Sequence, residues 1–153
     1  MPSRREQIRM SDEELRAFLD EQMIVSCATV GPSGRPHLVP LWYVPDGAQE
    51  LRGWTYAKAQ KAKNLERDPR ATIQVDTGVQ YHELRGVMME CDVEIERDPD
   101  VVAGFGMALF ERFGATGPEV ADMVSTQAEK RVGLHFVPTR TLSWDHSKLG
   151  GVY

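Results

Sequence analysis

Apolar positions along this chain alternate in twos over several stretches and switch to helical spacing in between. Leu15, Phe18 and Leu19 form the first helical stripe, opened by a capping box of Ser11 and Glu14 and by Met10 and Leu15 at the two positions of a hydrophobic staple. Residues 1–9 read as a loose polar lead-in. Residues 23–30 (MIVSCATV) are β-branched and small and predict a strand, turned by Gly31-Pro32-Ser33-Gly34. The returning strand, residues 36–44 (PHLVPLWYV), is apolar on both faces, so both faces should be covered. Pro40 in its middle donates no ladder hydrogen bond, which predicts an edge or a bulge. After Asp46-Gly47 a third strand runs to Tyr56. Ala59, Ala62 and Leu65 then recur at helical spacing, and Asp68-Pro69 ends that helix.

Residues 71–76 alternate, with Ala71, Ile73 and Val75 inward. Residues 81–96 predict one long strand. Val87, Met89, Cys91, Val93 and Ile95 take one face, and Glu90, Asp92, Glu94 and Glu96 a wet one. Asp98-Pro99 starts a helix lined by Val102, Phe105, Leu109 and Phe113 and stopped by Gly114. Gly117-Pro118 starts another. Two strand segments follow, 131–137 and 139–145, before a glycine-containing tail from Lys148 to Tyr153. Six or seven strands, early hairpins and few crossover helices predict a mainly β, α+β fold: an antiparallel barrel with flanking helices.

Composition narrows the function classes. A chain of 153 residues, 41% hydrophobic and 27% charged, suits one soluble domain over residues 1–153. A net charge of −5 argues against nucleic acid as the main partner. No apolar run approaches the ~20 residues of a membrane span, and the charged start has no signal-peptide core, so a cytoplasmic protein is expected. Cys27 and Cys91 sit in strand-like runs and read as small buried hydrophobes. No zinc, P-loop, dinucleotide or nucleophile-elbow motif is present, and no metal site is expected.

One stretch carries candidate chemistry. In residues 54–70 (WTYAKAQKAKNLERDPR) the hydroxyls of Thr55 and Tyr56 precede Lys58, Lys61 and Lys63, with Asn64 beside them. From charge alone the run reads first as a solvated basic helix face. Lysines beside the free N–H groups of a helix start also make an anion site, such as one for phosphate. Aromatic cover from Trp42, Tyr43, Trp54 and Tyr56, with no acid–base or nucleophile constellation, suits a protein whose cofactor carries the chemistry.

The order of these pieces resembles the split β-barrel flavin and deazaflavin oxidoreductases, relatives of pyridoxamine 5′-phosphate oxidase. The likeness rests on residues 28–44, 55–72, 81–95 and 130–150. The run K-x-x-K-x-x-NL-x-x-DPR and the ending SWDH-x-KLG are similar to an actinobacterial subgroup assigned to the deazaflavin cofactor F420. The resemblance implies a split barrel in which Lys61 holds the cofactor phosphate, surrounded by Thr55, Tyr56, Lys58 and Asn64. Val39, Pro40, Leu41 and Trp42 would border the ring. Val79, Gln80 and Tyr81 would close over the site from the partner subunit of a homodimer. Where many relatives have Ser-Arg-Lys, this chain has Ala59-Gln60-Lys61, so Lys58 and Lys63 would have to compensate. The arginine-rich motifs of true pyridoxamine phosphate oxidases are absent. The implied activity is hydride transfer between F420 and a small organic substrate. FMN is the alternative cofactor, and a non-enzymatic flavin- or haem-binding module the alternative role. Tyr56 and Tyr81 are proton-donor candidates by type only.

Overall fold

The computed structural model describes residues 1–151. Seven strands form one antiparallel, curled sheet: β1 (Ile24–Val30), β2 (Pro36–Trp42), β3 (Val44–Asp46), β4 (Glu50–Tyr56), β5 (Arg70–Thr77), β6 (Arg85–Glu96) and β7 (Arg131–Asp145). Their order across the sheet is β2-β1-β5-β6-β7-β4-β3. Five helices flank it: α1 (Arg4–Gln7), α2 (Asp12–Glu21), α3 (Gln60–Arg67), α4 (Pro99–Arg112) and α5 (Pro118–Ala128). The expected antiparallel barrel is thus a half-barrel curled far enough for β2 to approach β4. Gly53 permits that approach, since a Cβ there would lie 3.0 Å from Leu41 Cδ1 and 3.1 Å from the Trp42 carbonyl oxygen. No helix among the described residues is long and apolar enough to cross a membrane.

The interior is built by the inward positions of the alternating strands. Val25, Cys27, Leu51, Ile73, Met89 and Phe136 are all buried. Cys27 and Cys91 are free thiols, and burial pushes them up to about 11 and about 12, leaving neither poised as a nucleophile. Leu15, Phe18 and Leu19 seal one end of the core as their spacing predicts. Helix α2 has no basic residue in its last turn, and its terminal carbonyls are served from elsewhere. The Tyr43 hydroxyl donates to Leu19 O at 2.6 Å, and Arg112 of α4 donates to the carbonyls of Leu19, Asp20 and Gln22. Burial raises the Tyr43 phenol to about 12, so it stays a donor.

Several boundaries differ from the sequence reading. The lead-in is not loose: Ser3 and Glu6 close a capping box on α1. The stretch 36–44 divides, β2 ending at Trp42 and β3 starting at Val44. Pro40 does sit on an edge strand, because β2 pairs only with β1. Its two apolar faces are not both covered within the chain, and Leu38 is 67% exposed. The long strand begins at Arg85, since Tyr81–Glu83 makes a 3-10 turn. The two final segments are one strand with an irregularity. Pro138 pairs with Cys91 and Arg140 with Glu90, leaving Thr139 as the extra residue, its hydroxyl donating to Glu90 O at 3.1 Å. The acid row is not wholly solvated, since Glu90 pairs with Arg140 and Glu94 lies 3.4 Å from His135. Residues 148–149 of the expected tail belong to a second 3-10 turn, and Val152 and Tyr153 lie outside the described residues.

Helix α4 packs closely on β4 because Gly106 has no side chain. A Cβ there would come 2.4 Å from Trp54 Cζ3 and 2.9 Å from Val124 Cγ1. Overpacking of this kind costs about 1–3 kcal/mol, against about 1 kcal/mol gained from alanine's helix propensity. Gly106→Ala is therefore expected to lower the melting temperature by about 2–4 °C, taking a net cost near 1 kcal/mol. Thermal unfolding that shows a higher melting temperature would place α4 farther from Trp54.

Candidate cofactor site

A cleft of about 450 Å³ opens where the barrel fails to close, between β2 and β4. Pro40, Leu41 and Trp42 of β2 form one wall, and Trp54, Thr55 and Tyr56 of β4 the other. Phe110 of α4 and Gln127 of α5 close one side. The Trp42 ring stacks on Phe113 with centroids 4.1 Å apart, and Phe110 meets Trp42 and Trp54 edge-on at 6.4 and 6.5 Å. These contacts fix the aromatic walls in place.

The base of the cleft is cationic. Lys61, in the first turn of α3, is half-buried, and its Nζ donates to the buried Thr55 Oγ1 at 2.8 Å. Burial lowers the Lys61 ammonium below the usual lysine range, and the nearby Arg131 cation lowers it further. Ala59 at the cap of α3 offers no side chain to the free N–H groups. Arg131, the first residue of β7, stands directly across from Tyr56, and its guanidinium lies 4.0 Å from the Tyr56 ring centroid and 4.5 Å from that of Trp54. Among the described residues neither Lys61 nor Arg131 makes an ion pair with a carboxylate.

Of the residues singled out from the sequence, Pro40, Leu41, Trp42, Thr55, Tyr56 and Lys61 meet in this cleft. Val39, Lys58, Lys63, Asn64 and the Val79, Gln80, Tyr81 loop do not line it. Val39 is half-buried and pairs with Cys27 across β1. Lys58 is exposed and lines an adjoining hollow with Lys130, while Lys63 points to solvent on α3. Asn64 is fully buried: its Nδ2 donates to Thr29 Oγ1 at 3.0 Å, and its Oδ1 accepts from Gln60 Nε2 at 2.7 Å. That amide clamps α3 onto β1. Tyr81 packs its ring on His146, centroids 4.5 Å apart, away from the cleft of its own chain. Arg131 was absent from the sequence-based set. Its one local signal is a cation at the start of a strand, and its partners come from β4 through sheet register.

The curled half-barrel with a cleft at its open seam defines a class of fold, and sequence comparison places the chain within it. The pyridoxamine 5′-phosphate oxidase family profile matches residues 11–145, and the chain belongs to that family. It is similar to the conserved hypothetical protein Rv2991 from Mycobacterium tuberculosis at 39% identity, covering 99% of this chain and 95% of that one, with a TM-score of 0.90. It is similar to a solved F420 reductase at 26% identity, covering 82% and 94%, with a TM-score of 0.66. The haem storage protein HutZ from Vibrio cholerae shares the fold, at 21% identity over 88% and 96% with a TM-score of 0.69. A search of curated proteins finds no match.

Proposed function

We propose that this chain is an F420-dependent oxidoreductase that passes a hydride between the deazaflavin and a small organic substrate. The observation that carries the reading is the half-buried Lys61 ammonium on Thr55 at the uncapped start of α3, at the base of an aromatic cleft and, among the described residues, without a carboxylate partner. A cation held partly out of water with no counter-charge costs stability, so its placement suits an anion brought by a ligand. Lys61, Thr55 and the α3 N–H groups would hold the cofactor phosphate, and Pro40, Leu41 and Trp42 would border the ring. A bound deazaflavin supplies the hydride. The protein supplies orientation, and its aromatic walls exclude water. Of the two tyrosines weighed as proton donors, Tyr56 lines the cleft. The similarity to an F420 reductase favours F420 over FMN. No histidine is among the residues lining this cleft, so a haem there would have to take Tyr56 as its axial ligand.

Incubation with reduced F420 and a panel of electron-poor acceptors tests the activity. Acceptor-dependent reoxidation of the cofactor is expected, and FMN with a nicotinamide donor should support none. The reverse pattern would shift the reading to FMN.

The reading includes a homodimer. Ile24, Leu38 and Trp42 on and beside β2 are exposed apolar side chains, and so are Val79 and Tyr81. A second copy would cover the bare faces of β2 and bring Val79–Tyr81 to the neighbouring cleft. Light scattering at micromolar concentration is expected to give about twice the chain mass of 17.2 kDa. A monomer that still binds cofactor would remove the partner-loop role of Tyr81.

A further inference from the structure

We infer that Arg131 is a second anion anchor, which together with Lys61 forms a two-cation clamp for a phosphate ester. This rests on the phosphate-bearing cofactor reading above and adds a residue that the family resemblance did not assign. Three features carry it. First, sheet register makes the site: Tyr56 pairs with Arg131 and Trp54 with Gly133, so Arg131 shares a face with both rings. Second, the rings flank the guanidinium at 4.0 and 4.5 Å from their centroids. Stacking occupies the faces of a planar guanidinium and leaves its N–H edge for an anion, the geometry in which arginine reads phosphate bidentately. Among the described residues the buried Arg131 Nε has no hydrogen-bond partner. Third, Lys61 and Arg131 line the same cleft closely enough for Arg131 to lower the lysine's affinity for its proton. Two like charges lining one cleft repel, and an anion bound between them turns that repulsion into two attractions. A lysine at position 131 would keep the charge but lose the planar stack and the forked donor set.

The test compares cofactors with and without their phosphate. Wild type, Arg131→Gln and Arg131→Lys are titrated with F420 and FMN, and with riboflavin and the deazaflavin chromophore lacking its phosphate. Arg131→Gln is expected to lose at least tenfold in affinity for F420 and FMN and less than twofold for the phosphate-free forms. Arg131→Lys should fall between. Equal losses for both sets, or unchanged affinity for F420 and FMN, would overturn the inference and leave Arg131 a packing residue. If wild type binds none of the four, the cofactor reading fails by itself. Inorganic pyrophosphate then decides: the inference stands only if it changes Trp54 fluorescence in wild type and not in Arg131→Gln, and falls otherwise.

Discussion

Lys61→Ala is expected to weaken F420 binding by about tenfold to a hundredfold while leaving the fold as stable as before. A charge-assisted contact to phosphate is worth roughly 1.5–3 kcal/mol, and each 1.4 kcal/mol is about a factor of ten in affinity. Stability should not fall with it. The lysine's ammonium is half-buried in the cleft that Arg131 also lines, and among the described residues it donates to the neutral Thr55 hydroxyl at 2.8 Å. Removing it therefore relieves desolvation and repulsion as well as breaking a hydrogen bond. The affinity loss should shrink at high salt, where screening already weakens the wild-type contact. Lys63→Ala removes the same charge from the same helix at an exposed position and should change affinity less than twofold. Isothermal titration across the three proteins checks the affinities, and thermal unfolding checks the stability. Equal effects at 61 and 63 would mean that the run is only a solvated basic face.

Asn64→Ala is expected to do the opposite: a large loss of stability with little direct effect on the ligand. Asn64 is fully buried, and its amide serves Thr29 and Gln60. Truncation leaves the buried Thr29 hydroxyl without its amide, while the exposed Gln60 side chain can turn to water. One buried polar group left unpaired costs about 1–3 kcal/mol. For a chain of this size that lowers the melting temperature by roughly 2–12 °C. Thermal unfolding and titration well below the transition separate the two roles. An unchanged melting temperature with lost affinity would return Asn64 to the ligand-contact role that the family resemblance implies.

Period and chain punctuation made much of the fold legible. Ala71–Val75 and Val87–Ile95 alternate because each strand buries one face, and burial follows that alternation. Pro40 marks an edge because a central strand needs the N–H it lacks. The Ser3–Glu6 capping box was equally present in the sequence, but no apolar run follows it to signal a helix. Thr139 could not be placed, since a bulge is a property of two strands together. The same limit hid Arg131. Its partners, Trp54 and Tyr56, lie on another strand, and only register joins them. The structural partners of Asn64 stayed hidden for a related reason. A polar residue in a lysine-rich run suggests a ligand contact until Thr29, on a distant strand, proves to be its partner. Leu41 does line the cleft, but it also packs against the core and against Gly53. Leu41→Arg would therefore disturb barrel closure along with any ring contact.

The most direct measurement is calorimetric titration of the purified wild-type chain with oxidised F420, repeated with Lys61→Ala at low and at high salt. The expected result is saturable binding by wild type, weakened by added salt, and a tenfold or greater loss in Lys61→Ala at low salt. Absence of saturable F420 binding to the folded wild-type protein, or binding that Lys61→Ala leaves intact, would contradict the assignment of this cleft as the cofactor site.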